Sequence, residues 1–285
     1  MKKYYKQSAP ALPDFYTDMA VERRRADSSV GGIEYRKEPC TCGTWERVRV
    51  TSDEGARCIG RPIGRYDTLK TERLDLFDEE DLYDVQEELA RELIKICDDI
   101  AVMPARILAV GLGNEELTPD SVGAKCARLI KPTMHIREES ESFFSELECS
   151  EIAVLIPSVA AKSGMRSTEC VRGICERIMP DLIIAVDAIR TDSHERLGRC
   201  FQLSDTGIFP GGMGATGDPL TRPSLGVPVI GIGIPTVMDA RCLGEGALSR
   251  LTEELYVSPK DIDEIVASAA RAVAGAVNQA FGLDY

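Results

Sequence analysis

The run ILAVGLGNEELTPDSVG, residues 107–123, decides how the rest of the chain is read. It opens with four apolar residues that do not alternate with polar ones, the pattern of a strand buried on both faces. Gly111, Leu112 and Gly113 then predict a tight turn. Thr118 followed by Pro119 predicts a helix N-cap with proline at the first helical position, and the helix should reach about Leu129.

The same strand-then-helix rhythm continues outward. AVLI at 153–156, LIIAV at 182–186, 199–203 and VPVIGIG at 227–233 read as strands, with Pro228 at a strand start or edge. On the amino side, Leu82, Val85, Leu89, Leu93 and Ile96 recur at helical spacing and predict an amphipathic helix over 79–99. Residues 168–179 predict a helix closed by Pro180, and a last helix opens at Ser258 and Pro259, with its apolar face running from Ile262 to Val277. Apolar strands alternating with helices imply an α/β fold, a mostly parallel sheet with helices on both faces. Residues 19–75 predict a small antiparallel β excursion. Residues 1–18 read as an extended arm, and 19–285 as a single α/β domain.

Composition narrows the function. With 47 acidic and 34 basic residues the net charge is −13, which argues against a binder of the nucleic-acid backbone. No apolar run approaches the ~20 residues of a membrane span, and the N-terminal segment lacks the apolar stretch of a secretory signal, so the expected location is the cytoplasm, with no membrane partner. The ten cysteines stand mostly alone in apolar segments and read as buried thiols. A structural zinc at Cys40 and Cys42 is the alternative for the one CxC pair. No cofactor motif is complete. The Gly111–Gly113 turn lacks the third glycine of a dinucleotide fingerprint, and no P-loop lysine follows it.

Ligands of open α/β sheets bind at the carboxyl ends of the strands. Two acidic residues fall there. Asp120 lies in the first turn of the helix that follows the turn at 111–114, and Asp187 ends the strand 182–186. The helix N-terminus should favour the charged form of Asp120. Burial should disfavour that of Asp187. A close pair of this kind would share a proton, one carboxyl activating water and the other donating a hydrogen bond to a carbonyl. A helix-capping role for Asp120 is the plain structural alternative. His194, in a polar stretch, reads as a solvated helix face, and no Gly-x-Ser-x-Gly elbow exists.

Beyond these residues, ordered motifs along the chain resemble the bacterial spore germination protease family. They are ILAVGLGNEELTPDSVG (107–123), PDLIIAVDA (180–188), LSDTGIFPG (203–211), LGVPVIGIGIPTVMDA (225–240) and the C-terminal helix sequence. YTDMAVE, 16–22, resembles the family's processing site. The resemblance implies a fold shared with hydrogenase-maturation peptidases. It implies an aspartate-dependent endopeptidase, needing no cofactor, that degrades small acid-soluble spore proteins during germination. It further implies a self-processing zymogen and a homotetramer in the forespore or spore core. By motif it places the catalytic pair at Asp120 and Asp187, supporting residues at Gly111, Gly113, Asn114, Asp205, Thr206 and Gly207, and a processing cut between Asp18 and Met19. The sequence departs from the family at 157–167, where glycines are lost and an acidic position becomes Arg166, at 190–192 after Asp187, and in the loop after Pro210. Two alternatives remain open at this point: a metal-dependent maturation-type peptidase, and a catalytically weak spore binding protein of the same fold.

Overall fold

The structure is a computed structural model and describes residues 17–24, 31–209, 218–244 and 252–283. Most of the N-terminal arm, residues 1–16, and the family-divergent loop after Pro210 lie outside the described residues.

Among the described residues, nine strands form one sheet in the order β1-β2-β3-β7-β8-β6-β4-β5, with β9 pairing β8. One half is parallel and made from the apolar runs: β4 (Arg106–Gly111), β5 (Glu151–Leu155), β6 (Leu182–Thr191) and β8 (Val229–Asp239). The other half is antiparallel: β1 (Ile33–Cys40), β2 (Gly43–Val50), β3 (Gly64–Lys70) and β7 (Cys200–Ser204), with β7 joining β3 to β8. β9 (Tyr256–Val257) adds a short antiparallel pair to the far end of β8.

Helices cover both faces. Along β6, Leu182, Ile184, Val186 and Ala188 point into a core built with α3 (Glu79–Asp99), α4 (Val122–Leu129) and α10 (Ile262–Phe281). The intervening Ile183 and Ala185 pack instead with α8 (Ser167–Ile178), because a strand presents alternate residues to opposite faces. The 79–99 helix is found at the expected boundaries, its start fixed by a capping box between Asp78 and Asp81. The last helix begins at Ile262, a little after the expected start, because 256–257 are drawn into β9.

Short helices fill the connections: α1 (Ala20–Arg23), α2 (Asp53–Ile59), α5 (Met134–Glu139), α6 (Glu141–Glu146), α7 (Ala160–Ser163) and α9 (Arg222–Leu225). α1 belongs to a third apolar cluster. Met19, Ala20 and Val21 pack there on Val48, Val50, Tyr66, Ile189 and Cys200, beside α2. Thr17 and Asp18, expected as the end of a free arm, are therefore held against the sheet: Asp18 N donates to the Arg190 carbonyl at 2.9 Å.

All ten cysteines are free thiols, and Cys97, Cys126, Cys175 and Cys200 are buried. The Cys40 and Cys42 sulfurs lie 3.9 Å apart at the β1–β2 turn. His194 is exposed on a turn, not on the helix face expected for it, since the chain there is only linking β6 to β7.

Candidate active site

The site forms where the chain leaves β4 and runs beside β6. β4 pairs with β5 on one side and with β6 on the other, so the residues past its carboxyl end lie at the sheet edge where open α/β sheets bind ligands. Gly111 is the last residue of β4 and pairs with Val186; Leu112 N then donates to the Val186 carbonyl at 2.9 Å. Gly113 has φ +97°, and a Cβ there would sit 1.9 Å from the Asp120 carbonyl oxygen. Only glycine allows the loop to fold back this tightly. The fold-back brings Asn114 N within 2.7 Å of the Asp120 carboxylate.

Asp120 is not in the first turn of an α-helix. Thr118–Asp120 form a separate 3-10 turn, without a side-chain cap from Thr118, and α4 begins only at Val122. The turn is pinned by the Thr236 hydroxyl of β8, which donates to the Pro119 carbonyl at 2.6 Å. Asp120 is thus set off from the helix end that was expected to favour its charge. Burial dominates and raises its pKa against the single Asn114 N–H.

Asp187 does not end its strand either. β6 continues to Thr191, and Asp187 is the first residue past the β4 pairing, opposite Gly233 of β8. On its face of the sheet it lies between Ala185 of the α8 cluster and Ile189 of the α1 cluster. This gap between two apolar clusters leaves it 5% exposed. Its pKa is pushed well above the usual carboxylate range by burial, then by the charges of Asp120 and Asp18, against one N–H from Ala188 at 3.0 Å. Three carboxyls therefore share one field, and no direct hydrogen bond among the described residues joins Asp120 to Asp187. The expectation of opposed pKa pressures is corrected: both carboxyls are raised, Asp187 the more strongly.

Asp205, Thr206 and Gly207 make the turn after β7. Asp205 accepts from Arg65 N at 2.8 Å, and burial raises its pKa. The Thr206 hydroxyl lies 2.7 Å from that of Ser204 and 3.1 Å from Tyr66 Oη. Gly207 has φ +87°, and a Cβ would meet the Leu220 carbonyl at 2.1 Å. This turn shapes a wall: Gly207 and Ser204 line a small cavity together with Asp18, Arg61, Tyr66, Ile189, Gln202 and Gly233.

Sequence reasoning overlooked Arg61, Gln202 and Glu22. Arg61 sits in a loop-rich stretch. Gln202 breaks an apolar strand, and that break was the one signal available. Glu22 is 2% exposed and takes hydrogen bonds from the Thr17 hydroxyl, from Thr191 at 2.6 Å and from Asp192 N at 3.0 Å. Among the described residues no three His, Cys, Asp or Glu side chains converge as a metal-ligand set, at Cys40 and Cys42 or elsewhere.

Comparison with known proteins gives this geometry a context. The family model described as germination protease matches residues 14–249. A germination protease of Caldanaerobacter subterraneus subsp. tengcongensis is 34% identical over 244 residues, covering 84% of this chain and 74% of the relative. One from Clostridium perfringens is 28% identical over 312 residues, covering 92% and 93%. Among solved structures, a NiFe hydrogenase maturation protease from Thermococcus kodakarensis KOD1 covers 64% of this chain and 99% of its own, at 21% identity and a TM-score of 0.37. The family model and the two germination protease relatives define the class, a peptidase. Within that class, the chain belongs to the germination protease family.

Proposed function

We propose that this chain is an endopeptidase that begins the degradation of small acid-soluble spore proteins during germination. In this reading it is made as a zymogen and cuts itself between Asp18 and Met19. Asp120 and Asp187 carry the hydrolysis, and the assembly is a homotetramer in the spore core. One observation supports the reading above others: Asp18 and Glu22 hydrogen-bond to the carboxyl end of β6 at Arg190, Thr191 and Asp192, on the strand that carries Asp187.

The chemistry follows from the unequal environments of the two carboxyls. Asp187 is the one held protonated, since two neighbouring negative charges and deep burial oppose its ionisation. Asp120 is raised less, with the Asn114 N–H on its carboxylate, and so serves as the base. Asp120 takes a proton from water, whose oxygen adds to the Asp18 carbonyl carbon. The C–N bond to Met19 then breaks, and the Asp187 proton passes to the Met19 nitrogen. The products are a carboxyl on Asp18 and an amine on Met19. A metal-dependent route would rest on these two carboxylates, without a third protein ligand of the same kind among the described residues.

N-terminal sequencing of the processed chain tests the reading. Met19 is expected as the first residue, and Asp120→Asn and Asp187→Asn should each slow its appearance by about 10²–10⁴-fold. Full-rate processing in both variants, or a different first residue, would overturn it.

A further inference from the structure

The side chains that grip the Asp18–Met19 bond have no part in the proton transfers just described. The Asp18 carboxylate is held from two sides. Arg190 donates to Oδ2 through its backbone N at 3.0 Å and Nε at 3.2 Å. Arg61 Nη2 lies 3.4 Å from Oδ1, and Arg23 Nη2 lies 3.9 Å from it. The carbonyl oxygen of the same residue accepts from Arg61 Nη2 at 2.5 Å and faces Gln202 Nε2 at 3.5 Å. Gln202 Oε1 meanwhile accepts from Ala20 N at 2.8 Å, so one side-chain amide spans the bond from either end.

The Arg61 side chain is 10% exposed, and its Nε is buried without a hydrogen-bond partner, as are those of Arg24 and Arg196. A buried guanidinium N–H left unpaired in a folded chain costs free energy. The Arg61 plane lies 5.6 Å from the Phe209 ring, which limits where it can swing. The adjoining cavity, about 20 Å³, has room for one water.

We propose that Arg61, Arg190 and Gln202 form the subsite that selects an acidic residue on the amino side of the cleaved bond, with Arg61 and Gln202 polarising that residue's carbonyl. This rests on the reading of Asp18–Met19 as the bond that is cut. Two desolvated guanidiniums tolerate a carboxylate; a neutral or cationic side chain in its place leaves buried positive charge uncompensated. As the water oxygen bonds to the carbonyl carbon, the C=O electron pair moves onto oxygen, where the Arg61 and Gln202 N–H groups already point. Collapse of that oxyanion restores the C=O and expels the Met19 nitrogen, which takes its proton.

The test is a double-variant cycle in the full-length chain, reading the rate at which a Met19 N-terminus appears. Asp18→Asn should slow processing about 100-fold, the effect of truncating one partner of a buried charge pair. In the Arg190→Gln background the same change should matter clearly less, about tenfold, because one of the two guanidiniums facing the carboxylate is already gone. Exchanging the partners, Asp18→Arg with Arg190→Asp, should recover part of the rate lost in either single variant. Arg61→Gln should cost about 10²-fold with Asp at position 18 and less with Asn, because it removes the oxyanion donor in both but a carboxylate partner in only one. Equal slowing by Asp18→Asn in both backgrounds would overturn the subsite. If the wild-type chain never yields Met19, the processing reading fails and the subsite falls with it.

Discussion

At the scale of single residues, Asp187 is held in the fold at a cost. Its folded pKa lies above the unfolded value, so whatever stability it lends is present below the unfolded pKa and is lost as pH rises through the folded one. At neutral pH the fold must either keep the proton or bear the charge. Asp187→Asn keeps the shape and removes that cost. It should therefore melt higher than the wild-type chain at pH 7 while losing processing, and an equal or lower melting temperature would count against the assignment. Activity should fall on both sides of an optimum: on the acid side as Asp120 is protonated, on the alkaline side as Asp187 loses its proton. The two limbs belong to the pair and not to either residue. Glu22 obeys the same sign rule in the docked segment. Burial raises its pKa from 4.5 to about 7 despite hydrogen bonds from Thr17 and Thr191, with the Asp192 charge adding to the rise and Arg196 Nε 3.6 Å away. Its contribution to stability is full below the unfolded value and fades as pH rises toward about 7. Glu22→Gln should flatten that part of the stability–pH curve, measured by thermal melting.

At the scale of elements, the loop between β4 and α4 carries the site. Its conformation depends on Gly113, because the Asp120 carbonyl occupies the space a side chain would need. Gly113→Ala should push the 3-10 turn away from β6, lowering processing by about 10-fold or more, since sub-ångström misplacement of a catalytic group is already expensive. The change falls in a short turn outside the long helices and the strand ladders, so far-ultraviolet circular dichroism should change little. The element boundaries explain what was misread. A Thr-Pro pair marks a helix start, but it does not distinguish a 3-10 turn from the α-helix that follows. Pro119 is held by a bond from Thr236, 117 residues away, and that bond stops the turn from merging into α4. Likewise the strand at 182–186 looked finished because Asp187 is polar. It continues because β8 supplies pairing partners as far as Met238, opposite Thr191.

At the scale of the whole molecule, α3 and α10 close one face of the sheet over a core in which Leu93 is fully buried. Leu93→Ala should cost about 2–5 kcal/mol in chemical denaturation, as large-to-small core changes do. The sequence by itself determined the α/β class, the α3 helix and the parallel strands. Each of these follows from local information: apolar runs and helical spacing. Only the tertiary structure decided that Asp18 and Glu22 meet the carboxyl end of β6, that Asp18 meets Arg61 and Arg190, and that Asp120 is raised instead of lowered in pKa. Burial and Coulomb fields depend on which distant segments come within a few ångströms of a group. Spacing along a chain records period and punctuation, and carries no measure of that proximity.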